Sequence, residues 1–182
     1  MIDISNELVV RAAQGDMAAF EEIYRAASGF VYNVVLRITN NRSDADEVTQ
    51  DVFVRVYNNI RGFGFRSSFT TWLYRVAANT AINHCKRSAR QVSRNVEYNP
   101  AVHDVEAPAA QDTAIDREDA EEKVASLLEM LDPDQRACIV LREMEGFDYR
   151  AIADTLHINI NTVRSRLNRA RRRILDARGR KG

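Results

Sequence analysis

The segment NTVRSRLNRARRRI, residues 161–174, holds six arginines and no acid, in a chain whose 26 Lys and Arg are balanced by 26 Asp and Glu. Guanidinium groups at that density suit polyanions. Arginine forks onto the O6 and N7 of guanine, asparagine pairs with adenine edges, and further arginines neutralise phosphates. At 100° per helical residue, Val163, Leu167, Ala170 and Ile174 make one narrow apolar stripe. Ser165, Asn168 and Arg172 point the opposite way, flanked by Arg164 and Arg169. A helix with an apolar back and this outer face suits a DNA major groove. A solvated basic helix or a coiled-coil end is the plainer alternative, and the residues before it discriminate.

Those residues are YRAIADTL, 149–156, a short helix with the small Ala153 in its middle, then the turn HIN, 157–159. Asp148 can cap the first helix and Asn159 the second. Helix, three-residue turn and polar-faced helix match a helix-turn-helix, with Ile152, Leu156, Ile158, Val163 and Leu167 filling the space between. Upstream, REDAEEKVASLLEML reads as an amphipathic helix through Val124, Leu127, Leu128 and Leu131. DPDQ then restarts the chain, with Asp132 as N-cap, Pro133 at the first helical position and Gln135 completing a capping box. Gly146 can end that helix in the left-handed conformation.

Charge is segregated along the whole chain. Residues 61–94 carry seven basic residues and no acid, residues 95–134 twelve acids against Arg117 and Lys123, and residues 160–182 nine basic residues against Asp176. Two basic blocks flanking an acidic middle imply polyanion binding at two places.

The elements around the first basic block also read as helices. Ile23, Phe30, Val31, Val34 and Ile38 recur at helical spacings. Ser43 is a candidate N-cap, followed by Asp44, Asp46 and Glu47 in a first turn where the helix dipole favours acids. That helix is expected to reach about Asn59, burying Val48, Val52, Val56 and Ile60 and leaving Asp46, Glu47, Gln50 and Asp51 off the stripe. RGFGFRSS, 61–68, reads as a loop. The next helix, from about Ser68 to Arg87, clusters Phe69, Trp72, Leu73, Val76 and Thr80 on one side, with Thr71, Arg75, Asn79 and Lys86 on another. Residues from about 91 to 115, with Pro100 and Pro108, lack sustained periodicity and read as a flexible linker. The expected fold is all-α: two small helical domains joined by a flexible acidic linker, the C-terminal one containing the helix-turn-helix.

Other functions find little support. Cys85 and Cys138 stand far apart without CxxC spacing, and His84–Cys85 supplies too few ligands for zinc, so both cysteines read as structural. His84, His103 and His157 are isolated, and no Ser-His-Asp order or phosphate-cradling loop is present, so no catalytic residue, cofactor or metal is expected. The N-terminus has acids where a signal peptide needs Lys or Arg, and no apolar run approaches the ~20 residues of a membrane span, which points to the cytoplasm.

LDPDQRACIVLREMEGFDYRAIADTLHININTVRSRLNRARRRI resembles the C-terminal promoter-binding domain of bacterial sigma factors. GDMAAFEEIYRA, SDADEVTQDVFVRVYNNI and FTTWLYRVAANTAINHCKR resemble, in that order, their N-terminal domain. With no segment resembling the extra middle domain of housekeeping members, the resemblance is to the small extracytoplasmic-function group of the sigma-70 family. It implies a specificity subunit that directs core RNA polymerase to promoters and helps open them. Residues 1–90 would form the region 2 domain, 91–116 the linker and 117–182 the region 4 domain.

By position, Arg164, Ser165, Asn168, Arg169 and Arg172 would read the −35 element as duplex. Phe63, Phe65, Arg75, Asn79, Asn83 and Lys86 would read and open the −10 element, and loop aromatics, amides and unopposed positive charge are what capture of unstacked bases requires. Asp46, Glu47, Gln50, Asp51, Phe53 and Arg55 would meet the clamp helices of the β′ subunit, with Phe53 either an interface anchor or core. The resemblance further implies contact with the β flap, an anti-sigma factor as partner, and a linker that threads toward the RNA exit path. The competing reading is a stand-alone helix-turn-helix regulator that binds duplex DNA without polymerase. The acid-free 61–94 block and the linker argue against it.

Overall fold

The computed structural model describes residues 4–96 and 115–179. Among them it shows eight α-helices and no strand: α1 (Asn6–Ala13), α2 (Met17–Thr39), α3 (Arg42–Asn59), α4 (Phe69–Val96), α5 (Ile115–Glu129), α6 (Pro133–Ile139), α7 (Tyr149–Leu156) and α8 (Ile160–Gly179). A 3₁₀ turn, Ile60–Gly62, follows α3, and a π-helical turn, Val140–Met144, continues α6. The fold is all-α, as expected. None of these helices is long and apolar enough to cross a membrane.

In the N-terminal half α2, α3 and α4 pack on one another, with α1 across α2. Their shared core is the periodic apolar set: Ile23, Val31, Val34 and Ile38 from α2, Val48, Val52 and Val56 from α3, and Leu73, Ala77 and Ala81 from α4, all fully buried. Truncating a side chain such as Leu73 in a site like this costs about 2–5 kcal/mol. The α2–α3 corner differs from expectation. Asn40 ends α2 in the left-handed conformation (φ 56°), and Asn41 caps α3, its side chain accepting from the Asp44 N–H at 3.0 Å. Because the two helices join back to back, the cap falls at Asn41 and Ser43 lies inside the first turn.

In the C-terminal half α8 lies across α6 and α7. Its stripe Val163, Leu167 and Ala170 is fully buried, against Ile152 and Leu156 of α7, while Ile174 is half-buried. The caps are the expected ones. Asp132 accepts from Gln135 N–H at 2.8 Å, Asp148 from Ala151 N–H at 2.7 Å, and Asn159 from Asn161 N–H at 2.8 Å. Gly146 takes φ 73° after the π turn. The capping box does not close, since Gln135 is buried and its Oε1 has no hydrogen-bond partner among the described residues. Cys138 is buried and Cys85 half-buried, both free, and burial pushes the Cys138 thiol up to about 11.

Helix α4 runs on through Val96 and α5 starts at Ile115, so residues 91–96 and 115–116 are helical rather than linker. The rest of the expected linker, with Pro100, His103 and Pro108, lies outside the described residues. The two halves touch: α2 and α4 pack against α6, and α4 packs against α7.

Candidate nucleic-acid interface

The six arginines of residues 161–174 divide by face. Arg164, Arg169 and Arg172 are exposed, as is Asn168. Arg164 Nη1 donates to Asn161 Oδ1 at 3.1 Å, which steadies the guanidinium at the N-terminal end of α8. Arg173 is exposed as well, but it and the half-buried Arg166 and Arg171 also meet groups on the domain. Arg166 approaches Asp134 at 3.3 Å, and Arg173 approaches Asp132 at 3.9 Å and donates to the Met130 carbonyl. Arg171 donates to Glu143 at 2.7 Å and to the Tyr149 hydroxyl at 3.5 Å, and the Glu143 contact raises its pKa further. Arg166 and Arg171 therefore tie α8 to the bundle, a division that the charge pattern alone does not reveal. Ser165 is half-buried, and its hydroxyl donates back to the Thr162 carbonyl at 3.0 Å.

The second candidate surface starts at the 61–68 loop. Phe63 is buried, packed against Phe69 and Trp72 with ring centroids 5.5 and 5.4 Å away, so it anchors the loop and is not presented to a strand. The expectation for Phe63 fails because an aromatic between the 3₁₀ turn and α4 gains more from that cluster than from solvent. Phe65, 45% exposed, stands out with φ 52°, an unfavourable conformation for a bulky residue. Ser68 caps α4, accepting from Thr71 N–H at 3.1 Å. On α4, Asn83 and Lys86 are exposed and Arg75 and Asn79 half-buried, the Nε of Arg75 enclosed without a hydrogen-bond partner among the described residues.

A third surface lies on α3. Asp46, Glu47, Gln50 and Arg55 are exposed and Asp51 half-buried. Phe53 is 5% exposed and meets Tyr24 edge-on at 4.6 Å, which makes it core and not rim. The apolar part of this surface comes instead from Val54, 59% exposed, and Tyr57, 47% exposed. Sequence reasoning missed both, although Gln50, Val54 and Tyr57 share one face at i, i+4 and i+7.

The sigma-70 region 2 model matches residues 23–91 and the sigma-70 region 4 model residues 121–174, one on each helical half. The RNA polymerase sigma-H factor of Pseudomonas aeruginosa is 32% identical over 177 residues, which cover 92% of this chain and 90% of the relative. The ECF RNA polymerase sigma-E factor of Haemophilus influenzae is 32% identical over 176 residues, covering 92% and 91%. The chain belongs to the extracytoplasmic-function sigma factors. A solved structure of CnrH, in complex with the cytosolic domain of CnrY, superposes with a TM-score of 0.64 at 25% identity over 96% of this chain and 97% of that one. RpoE of Bartonella quintana, solved with the anti-sigma factor NepR, shares the fold with a TM-score of 0.63 at 23% identity over 86% and 94%.

As a sigma factor of this group the protein directs RNA polymerase to promoters and serves transcription initiation, and sigma factors are non-enzymatic. The reading as a stand-alone regulator is not favoured, because relatives align through both halves and not through the helix-turn-helix alone.

Proposed function

We propose how this sigma factor divides promoter recognition between its surfaces. Helix α8 reads the −35 element as closed duplex, with Arg164, Asn168 and Arg169 toward base edges and Arg172 toward phosphate, while Ser165 supports the helix start. The face of α4 bearing Arg75, Asn79, Asn83 and Lys86, with Phe65 from the loop before it, captures the −10 strand. Helix α3 docks on the β′ clamp helices through Glu47, Gln50, Val54 and Tyr57, with Asp46, Asp51 and Arg55 at the rim. The C-terminal half meets the β flap, and the acidic residues between the halves lie along the RNA path. Region 2 then ends near Val96 and region 4 begins near Ile115.

The observation that carries this reading is the two-faced α8: a buried apolar stripe, Arg166 and Arg171 tied inward, and Arg164, Asn168, Arg169 and Arg172 on the exposed side. The protein works where RNA polymerase works, in the cytoplasm. The anti-sigma factor NepR, solved on the RpoE of Bartonella quintana, supports an anti-sigma factor as the regulator of this chain too. The deciding experiment is transcription in vitro with core polymerase, with and without the protein, followed by sequencing of transcript starts. New starts sharing two spaced elements are expected. Identical starts in both reactions would sink the reading.

A further inference from the structure

Two ion pairs cross between the helical halves: Lys86 of α4 lies 2.8 Å from Asp134, and Arg37 of α2 lies 3.3 Å from Glu145. At a third place charges of opposite sign face each other without touching. Arg66, in the loop before α4, and Arg75, on α4, line one side of a cleft of about 680 Å³, and Asp154 of α7 and His157 of the turn after it line the other. Among the described residues, the side chains of Arg66, Arg75 and Asp154 make no ion pair and no hydrogen bond. The volume falls within the roughly 300–1,000 Å³ of small-molecule sites.

The two walls ask for different chemistry. Two guanidinium groups with no acid partner suit a phosphate, which accepts several charge-assisted hydrogen bonds at once. The Nε of Arg75 is enclosed without a partner, and a buried donor left unmatched is costly. A small rotation of the side chain toward a phosphate oxygen satisfies it. Across the cleft Asp154 is exposed, and a carboxylate accepts two donors side by side. The Watson–Crick edge of guanine carries two such donors, its ring N–H and its amino group. His157 is exposed and held at φ 52° by the turn between α7 and α8, so its ring is presented and not packed, as stacking on a base requires. Ala151 and Ile158 add apolar surface between the charged groups. An inorganic anion meets only the first wall, whereas a nucleotide meets both.

We infer that this cleft is a nucleotide site, with Arg66 and Arg75 on the phosphates and Asp154 and His157 on a guanine base. The sigma factor thereby takes a small-molecule input of its own. The walls come from different halves, so the nucleotide binds the chain only in this arrangement and stabilises it by linkage. Arg75 also belongs to the face proposed for the −10 strand, but nucleotide binding does not depend on that assignment.

Calorimetric titration of the full chain with GDP and with inorganic pyrophosphate tests the site. GDP should bind with one-to-one stoichiometry and about tenfold more tightly than pyrophosphate, because only GDP reaches Asp154. Arg75→Gln should weaken both probes about tenfold. Asp154→Asn should weaken GDP about tenfold and leave pyrophosphate no weaker, since it removes an acceptor and a repelling charge. If Arg75→Gln loses helix content by circular dichroism, Arg66→Gln, in the exposed loop, takes its place with the same expected loss. Arg164→Ala with Arg169→Ala, on the outer face of α8, should leave GDP binding unchanged. No binding of GDP, GDP no tighter than pyrophosphate, or GDP indifferent to Asp154→Asn each overturns the inference. So does loss of binding in the α8 variant, which places the anion on the −35 face.

Discussion

At Phe63 and Phe65 the same side chain, two positions apart in one loop, takes opposite roles. Phe63 stacks into the Phe69–Trp72 cluster, and its ring also lies 4.8 Å from that of Phe65, which leans outward on it. A Cβ added to Gly64, between them, would meet nothing nearer than the Arg66 Nε at 4.0 Å, so crowding does not impose the turn. The positive φ of Phe65 is held by its neighbours at a cost of order 1–3 kcal/mol, and such strain gathers where a side chain is being presented. Phe63→Ala should therefore lower stability by about 3–5 kcal/mol in chemical denaturation. Phe65→Ala should leave the midpoint nearly unchanged yet reduce promoter opening, read by permanganate reactivity of unpaired thymines. A promoter already mismatched at −10 should rescue it, because stacking worth about 1–3 kcal/mol per base is no longer needed to drive opening. Normal opening by Phe65→Ala on paired DNA would remove this ring from the capture site.

Helix α8 is an element with two jobs, and its arginines separate them. Arg164 bonds to Asn161 on its own helix, whereas Arg171 bridges to Glu143 and Tyr149 from two other elements. Loss of a bidentate base contact costs roughly 1–3 kcal/mol and relaxes preference at one base pair. Arg164→Ala should show that signature in a −35 substitution series while melting like wild type. Arg171→Ala should leave the base preference intact and instead lower thermal stability, by under about 1 kcal/mol since the pair is partly exposed. Exchange of these two phenotypes would mean that the faces of α8 have been assigned the wrong way round. The caps at Asp148 and Asn159 matter to the same element pair, since they hold the angle at which α8 leaves the turn.

The whole molecule has formal net charge +0, yet it is built to bind a polyanion, because binding depends on local charge and not on the sum. The basic outer face of α8, with Arg164, Asn168, Arg169 and Arg172, is exposed and so accessible to −35 duplex. Affinity for that duplex should fall steeply with salt despite the neutral total. Arg172→Ala should flatten the plot of log affinity against log salt by about 0.9 and weaken all sequences alike, as a lost phosphate contact does. An unchanged slope, with loss confined to one sequence, would make Arg172 a base reader instead.

The sequence by itself determined the helices from α2 onward, the caps at Asp132, Asp148 and Asn159, the buried stripes of α3 and α8, and the family. Helical periodicity, a cap bond spanning three residues and a contiguous motif are all local properties, readable without knowing what lies alongside. Tertiary structure decided the rest. It buried Phe63 and Phe53, moved the α3 cap to Asn41 where α2 and α3 meet end to end, and turned Arg166 and Arg171 onto acids from other elements. Above all it brought the halves together. Arg136 bonds to Ile38 across 98 residues of chain, and Glu145 meets Arg37 across 108. An apolar stripe reports that a face is covered but not by what, and a polar residue offers a bond without naming its partner. Those pairings exist only when two distant surfaces meet.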